Sequence, residues 1–454
     1  MITEKDKKLT EALDKGEEYW TFREDAERDY VHDLFAYPAM MVPKMQREIL
    51  EEFDRVCEKV SPITIFDPFM GSGTIMVEGM LRGFNIIGVD INPLAFLVAK
   101  VKTEIYSLPR LRKSIDNLEK QLSLNNTIEV PTTFFHIDKW FKPEIRSELD
   151  IIKQQIRNEP CLKIRKFLWV VFCDTIRIVS NSRSCTYKLY IKSDRAIESF
   201  DKSPIQIYKD CLENAYNGVV EFQTKLEELG RIKMLGNRKK YSGIIDLRLA
   251  DSIDECRNIC DRYHPDLVIT SPPYGDNETT VTYGQYSILA LRWIDINDIG
   301  PNIDANLIES QSKIDKVSLG GTYQKQLDKE YVETSKKSPT LDAQLRIIEA
   351  IDKEKTWKIK SFYHDFESII SALSSLHEGS YVIMTVGNRT VAKQRIKMNE
   401  IIKELFNYYG FDSVSEFSRR IIRKRMSAIN AVDQETGALL ESMNKEYVLI
   451  MKKR

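Results

Sequence analysis

Short apolar runs alternate with longer stretches of helical period along this chain. Ile63-Thr64-Ile65-Phe66 and Asn85-Ile86-Ile87-Gly88-Val89 read as buried strands, and Ile75-Met76-Val77-Glu78-Gly79-Met80-Leu81 reads as a helix between them, stopped by Arg82-Gly83. Residues 1–60 read as helices; apolar Met45, Ile49, Phe53, Val56 and Val60 keep a helical period after Pro43. Residues 95–102 form the helix after the second strand. The strand expected next does not follow. Residues 111–122 and 144–156 read instead as charged amphipathic helices. A longer apolar helix, 162–180, carries Phe167, Leu168, Val171, Phe172 and Ile176 on its buried stripe, and 205–229 is another helix. Strand character resumes at Ile244 and again at Asp266-Leu267-Val268-Ile269. A polar stretch, 294–357, containing Ser318-Leu319-Gly320-Gly321-Thr322-Tyr323, reads as loop-rich. A helix over 362–376 then precedes a strand at Tyr381. This order predicts an α/β fold, a doubly wound Rossmann-like sheet interrupted by two inserted segments.

Two loops carry the chemistry. The first runs Asp67-Pro68-Phe69-Met70-Gly71-Ser72-Gly73-Thr74, between the first strand and its helix, and the second strand ends in Asp90. Strand, glycine loop, helix and strand ending in an acid is a nucleotide-binding βαβ unit. Gly71 and Gly73 allow a tight turn and close approach to a ligand, and Asp90 is placed to hold both hydroxyls of a ribose. The loop lacks the third glycine of a dinucleotide site and contains no phosphate-cradling GxxxxGK[ST]. Its acidic start would repel a pyrophosphate and suits a cationic ligand such as S-adenosylmethionine. The second loop, Thr270-Ser271-Pro272-Pro273-Tyr274-Gly275, follows the apolar run 266–269. Consecutive prolines remove two N–H donors and fix the chain's path, leaving carbonyls to accept hydrogen bonds, and Tyr274 offers a face for stacking. Such a site suits a planar substrate bearing an amino group.

Composition bounds these readings without deciding them. With 454 residues, 42% hydrophobic and 30% charged, the chain can bury one large core plus added modules. No apolar run reaches the roughly 18 residues of a membrane span, and the charged, helical N-terminus is unlike a signal peptide. Seven scattered cysteines give no metal-ligand spacing; Cys256 and Cys260, one helical turn apart, read as core thiols, no metal is expected, and a cytoplasmic location follows. Basic and acidic residues nearly cancel, 67 against 68, so a nucleic-acid partner would have to be met by local charge. Residues 161–245 carry sixteen Lys and Arg against nine Asp and Glu, and Arg419-Arg420-Ile421-Ile422-Arg423-Lys424-Arg425 is a second basic cluster. Within the first, Arg177, Arg183 and Lys188 sit among small polar residues and tyrosines at a helix end, a composition suited to a phosphate backbone.

The pairing of Asp67–Thr74 with Ser271–Tyr274 resembles the S-adenosylmethionine-dependent amino-methyltransferases of DNA. Serine before Pro-Pro-Tyr resembles their cytosine-N4 branch; adenine-N6 enzymes more often carry Asp or Asn there. The resemblance extends to residues 30–43, which in this family precede the glycine loop and close over the methionine end of the cofactor, with Tyr37 and Ala39 among the matched positions. It extends also to Asp90-Ile91-Asn92-Pro93, to the strand before Asp251 and Ser252, to 283–293, and to late strands at 379–388 and 444–451.

What the resemblance implies is a seven-stranded methyltransferase sheet with a closing hairpin-like pair, and S-adenosylmethionine as the cofactor. Asp67 would face its methionine amine, Phe69, Gly71 and Gly73 would line the loop, Asp90 would take the ribose hydroxyls and Asp251 the adenine amine. Tyr37, Ala39, Thr74, Ile91, Asn92 and Ser252 are further cofactor-binding candidates. Ser271, Pro272, Pro273 and Tyr274 would hold a base flipped out of double-stranded DNA. Five segments are expected. These are 1–105 with the cofactor half, 106–240 as a basic helical insertion and candidate target-recognition region, 241–293 with the catalytic part, 294–357 as a second insertion, and 358–454 completing the domain. A cognate restriction endonuclease is a candidate partner and no membrane is expected. The alternatives are an adenine-N6 DNA methyltransferase, an RNA guanine-N2 methyltransferase, which usually carries an N-terminal RNA-binding module that 1–60 does not resemble, and a non-catalytic binder. Pro160-Cys161 is not read as a cytosine-C5 nucleophile, because it precedes a helix and follows no strand.

Overall fold

A computed structural model of the chain describes residues 3–22, 29–57, 59, 61–124, 128, 130–183, 186–300, 303–421, 429–432, 439–441 and 444–454. Seven strands form one sheet: β1 (Thr64–Asp67), β2 (Asn85–Asp90), β3 (Ile245–Leu249), β4 (Leu267–Thr270), β5 (Tyr381–Gly387), β6 (Phe411–Arg420) and β7 (Lys445–Lys453). Their spatial order is β6-β7-β5-β4-β1-β2-β3. The five strands from β3 to β5 are parallel, and β7 lies antiparallel to both β5 and β6. The chain runs outward from β1 through β2 to β3, then returns to place β4 on the other side of β1. The carboxyl ends of β1 and β4 therefore flank the switch point where open α/β sheets bind ligands.

Alternation along the strands divides the interior into two layers. Ile65, Ile86, Tyr381 and Ile383 face one core; Phe66, Ile87, Val382 and Met384 face the other. The first face is covered by α2 (Pro43–Cys57), α3 (Thr74–Arg82), α4 (Pro93–Lys102) and the helices of the first insertion. Those are α5 (Leu108–Leu122), α6 (Pro143–Arg157), α7 (Leu162–Val179) and α8 (Pro204–Glu228). The stripe read along α7 is buried, with Phe167, Leu168 and Phe172 at 0% exposure. The insertion closes with an antiparallel hairpin, Ile232–Leu235 against Arg238–Tyr241, that its charged sequence does not announce. The second face carries α9 (Ser252–Tyr263), and α10 (Tyr283–Trp293) returns to the first.

The second insertion is more ordered than its polar sequence predicts. It contains α11 (Asp328–Lys336) and α12 (Pro339–Ile351), and the helix expected from Phe362 begins at Lys353 as α13 (Lys353–Leu373). The cause is capping. Ser338 accepts from the Leu341 N–H with Pro339 in the first turn of α12, and Asp352 accepts from the Lys355 N–H at 3.1 Å to start α13. The last helix, α14 (Met398–Tyr408), packs on the second face.

Two further expectations are settled here. Cys256 and Cys260 are buried free thiols on α9, and burial pushes Cys260 up to about 12. The C-terminal basic cluster is largely spoken for where it is described: Arg419 pairs with Glu446 at 2.6 Å and Arg420 with Glu17 at 2.7 Å, because β6 places them across from β7 and the N-terminal segment. Arg423, Lys424 and Arg425 lie outside the described residues. No helix among the described residues is long and apolar enough to cross a membrane.

Candidate active site

The glycine loop turns at the end of β1 and feeds α3. The Met70 N–H donates to the Val89 carbonyl at 3.0 Å, tying the loop to β2. Gly73 has φ +81°, and a Cβ there would lie 3.1 Å from the Cβ of Ala99 on α4, so both backbone and packing require glycine. Asp90 fixes the opposite edge. Its Oδ2 accepts from the Gly71 N–H at 2.9 Å and its Oδ1 from the Asn92 N–H at 2.8 Å. Each oxygen keeps a further lone pair for a ligand hydroxyl. Asn92 caps α4 through its Oδ1 and donates from Nδ2 to the hydroxyls of Tyr37 (3.0 Å) and Ser287 (2.8 Å). Tyr37 in turn stacks on Tyr283, with centroids 5.8 Å apart. The segment containing Tyr37 and Ala39 is thereby folded over the glycine loop.

Asp67 lies beneath that loop with 0% exposure. Its Oδ1 accepts from the Phe69 N–H at 2.9 Å and from the Thr270 hydroxyl at 2.5 Å, which joins the two motif loops across the switch point. Its Oδ2 is buried without a partner, as is the Ser72 hydroxyl. Burial, opposed by those hydrogen bonds and reinforced by the charge of Asp90, pushes Asp67 up to about 7. Burial likewise pushes Asp90 up to about 6. A buried acceptor and a buried hydroxyl, both lacking partners, match the ammonium and carboxylate of an amino acid.

The second loop leaves β4 and is held from behind. Gly275 has φ +152°, and the Arg389 guanidinium occupies the space a Cβ would need, within 2.2 Å. Arg389 also donates to Asp276 at 3.0 Å and to the Thr279 hydroxyl at 2.9 Å. Tyr274 donates its hydroxyl proton to Glu446 at 3.0 Å, and Glu446 is paired with Arg419. The Ser271 hydroxyl lies 3.3 Å from the Tyr274 oxygen. Since the single phenolic proton is already given to a carboxylate, Ser271 must be the donor in that contact, leaving its own lone pairs to accept from a substrate.

One cavity of about 310 Å³ gathers most of these residues. From the first loop and its neighbours it takes Phe69, Gly71, Thr74, Asp90, Ile91 and Asn92; from the overlying segment, Tyr37 and Ala39; from the start of α9, Asp251 and Ser252. Asp251 accepts from the Ile253 N–H at 2.9 Å to cap α9, and burial raises its pKa. Ser252 donates to the Pro68 carbonyl, pinning α9 to the glycine loop. The catalytic motif contributes Ser271 and Pro273; Pro272 and Tyr274 stand behind the lining, as Asp67 and Gly73 do beneath it. Residues without a sequence signal complete the wall: Asn277, Ile314, Lys316, Leu319, Thr322 and Asp365, four of them from the second insertion. Of the described lining residues Lys316 is the one base, against Asp90, Asp251 and Asp365, so the cavity favours a cation.

Arg177, Arg183 and Lys188 line a separate small cleft of about 30 Å³ with Phe35, Tyr187 and Tyr286. Arg177 bonds Asp174 at 3.3 Å and Arg183 the Ile191 carbonyl at 3.0 Å. The turn after them docks on α10 through Leu189 N–H to Gln285 (3.4 Å) and Tyr187 against Tyr286. Elsewhere, Asp29, His32 and Glu78 converge: Asp29 and Glu78 hold Arg47, whose Nε donates to Glu78 at 2.8 Å, and His32 Nε2 bonds the other Glu78 oxygen at 2.8 Å.

Comparison with known proteins gives the family. A family model described as D12 class N6 adenine-specific DNA methyltransferase matches residues 44–232. The Type II methyltransferase M.MvaI of Kocuria varians is 31% identical over 98% of this chain and 96% of its own length. The Type II methyltransferase M.MjaII of Methanocaldococcus jannaschii is 37% identical over 20% of the chain and 16% of its own. M.BsoBI of Geobacillus stearothermophilus, also a Type II methyltransferase, is 23% identical over 54% of the chain and 49% of its own. Among solved structures, the rRNA methyltransferase aviRa from Streptomyces viridochromogenes aligns at 11% identity and TM-score 0.33 over 95% of this chain and 96% of its own.

Proposed function

From the premise that this chain belongs to the S-adenosylmethionine-dependent Type II DNA methyltransferases, we propose that it methylates the exocyclic N4 amine of cytosine in a base turned out of duplex DNA. S-adenosylmethionine would supply a methyl group on a sulfonium, which leaves as a neutral thioether while the amine nitrogen gives up one hydrogen as a proton to solvent, so no leaving-group acid is needed. The observation that carries the choice of base is Ser271, opening into the same cavity as the glycine loop with its lone pairs free. The aromatic amine is a poor nucleophile and inaccessible within a duplex, so the base has to be extruded. Ser271 Oγ and the Pro272 carbonyl would accept from the amine hydrogens and aim its lone pair, a positioning role without a covalent intermediate. Tyr274, its ring set by the bond to Glu446, would stack on the base. Asp67 and Ser72 would hold the methionine end, Asp90 the ribose hydroxyls and Asp251 the adenine amine.

Both insertions meet α10, the first through residues 186–190 and the second through Asp315, whose Oδ1 accepts from the Gly284 N–H at 2.9 Å. The second insertion also lines the cavity, while Lys188 with the neighbouring Arg183 and Arg177, on the separate cleft, would follow the DNA backbone. A second reading, adenine-N6 methylation, is favoured by the description of the matching family model. That match ends at residue 232, before the loop that holds the base. Incubating the protein with labelled cofactor and DNA, then digesting to nucleosides, tests both. N4-methylcytosine supports the proposal, N6-methyladenine selects the second reading, and unlabelled DNA refutes both. Tyr274→Ala should abolish transfer with cofactor affinity retained.

A further inference from the structure

Asp251 and Asp365 both open onto the cavity, and the motifs assign a role to Asp251 alone. Each acid spends one oxygen on a backbone N–H. Asp251 Oδ1 accepts from Ile253 at 2.9 Å, and Asp365 Oδ2 accepts from Gly320 at 2.8 Å. The second oxygen of each has no hydrogen-bond partner among the described residues. A short chain of contacts brings the two acids to one part of the wall. Ser252, next to Asp251, donates its hydroxyl to the Pro68 carbonyl. Phe69 follows Pro68, and its ring stacks on Phe366, beside Asp365, with centroids 6.5 Å apart. The helices that carry the acids, α9 and α13, pack against each other on the second face. From that same face Phe69, Ile253 and Leu319 add apolar surface to the cavity.

The second insertion fixes Asp365 in place. Gly320 has φ +65°, and a Cβ there would come within 2.7 Å of the Phe362 Cβ and 2.8 Å of its Cα. Only glycine lets this turn lie so close to α13, one helical turn before Asp365. An apolar wall with two free carboxylate oxygens suits a heteroaromatic ring bearing an amine. The amine of an adenine carries two hydrogens, which point in different directions in the plane of the ring, and Asp251 accounts for one of them. We propose that the free oxygen of Asp365 accepts the second hydrogen of the cofactor's adenine amine, which makes Asp365 a specificity-determining residue for S-adenosylmethionine. This rests on the reading above that puts the adenine amine at Asp251. It also gives the second insertion a part in cofactor recognition, through the Gly320 N–H that orients the carboxylate.

The test titrates the full chain with two ligands, S-adenosylhomocysteine and its analogue in which hydrogen replaces the 6-amino group of the purine. The ratio of their Kd values isolates what the amine contributes, and a general loosening of the site cancels from it. Asp365→Asn leaves one accepting oxygen to serve both the Gly320 N–H and the amine. The preference for the amine-bearing ligand should fall by about tenfold or more, as for loss of a hydrogen bond to a charged group. A smaller fall overturns the proposal. So does equal weakening of both ligands with the ratio unchanged, which would put Asp365 on the methionine end or make it a support for the turn alone. Should D365N not fold, Asp365→Ala carries the same readout. Asp251→Asn is measured alongside. If it leaves the ratio unchanged, the amine is not at Asp251 and the underlying reading falls, whatever D365N does. If it lowers the ratio and D365N does not, that reading stands and the role of Asp365 alone is refuted.

Discussion

Replacing Asp67 with asparagine removes one charge from beneath the glycine loop and almost no volume. Oδ1 keeps its donors, Phe69 N–H and the Thr270 hydroxyl, because an amide oxygen accepts as a carboxylate oxygen does. What is lost is the charged acceptor at the unpartnered Oδ2. A hydrogen bond to a charged group contributes about 1.5–3 kcal/mol, so D67N should raise the cofactor Kd by roughly 10- to 150-fold at pH 7.5, measured by titration calorimetry. The pH profile adds a second signature. Asp67 stands at about 7 in the protein without ligand; below that, a proton must leave before an ammonium binds, at about 1.4 kcal/mol per pH unit. Wild-type Kd should therefore rise about fivefold between pH 7 and pH 6, and the D67N curve should lack that rise. Fold stability moves the other way. The folded pKa lies above the ordinary 3.8, so the stabilisation from this group is complete below about pH 4 and is lost as pH rises through 7. The gain in Tm of D67N over wild type should grow from pH 4 to pH 7 and then level. Equal cofactor affinity in the two proteins, or a wild-type Kd flat from pH 6 to 7.5, refutes the pairing of Asp67 with the methionine amine.

Other consequences follow from the same geometry. Gly73→Ala forces a Cβ against Ala99 at a left-handed φ and should cost about 1–3 kcal/mol in urea unfolding, with cofactor binding weakened. Glu78→Gln uncouples fully buried His32 from Arg47; breaking such a cluster should destabilise by about 3–5 kcal/mol, and a shift in urea midpoint corresponding to under 1 kcal/mol would show that it contributes little. Arg389→Met leaves Asp276 without its 3.0 Å partner and loosens the loop around Gly275, so kcat should fall at least tenfold with cofactor Kd nearly unchanged, an effect of positioning. DNA affinity should drop steeply between 50 and 200 mM salt, and Lys188→Ala should make that dependence shallower by about one phosphate contact.

The cofactor half was legible because it is local. Asp67, the glycines and Asp90 fall within one strand–helix–strand unit, and each needs only its place in that unit to be read. Ser271–Tyr274 was legible for a similar reason, since the apolar run before it marks a strand end. The roof of the cavity was not. Ile314, Lys316, Leu319 and Thr322 belong to a polar stretch with no strong period, and their role arises from Asp315 reaching the amino end of α10. The anchoring of Tyr274 by Glu446 and Arg419 joins residues more than 140 apart and leaves no mark in the sequence around any of them. The partners of Arg419 and Arg420, Glu446 and Glu17, likewise leave no mark in the sequence around the basic cluster.

The position of β7 bears on how this protein is made. It is the last strand in the chain, yet it lies inside the sheet, between β5 and β6. Until it emerges, β5 presents an open parallel-sheet edge carrying Val382, Ile383 and Met384, and β6 has nothing to pair with. Such an edge recruits other chains. The ends are also stitched together: Lys452 and the Tyr381 hydroxyl both hold Asp6 of α1 (Glu4–Leu13). A ribosome stalled anywhere before residue 445 would thus hold a chain whose cofactor loop is already written but whose sheet has a sticky margin. The methylating enzyme comes into being late and at once, when the final strand slots in, and a nascent fragment is an aggregation hazard before it is a catalyst.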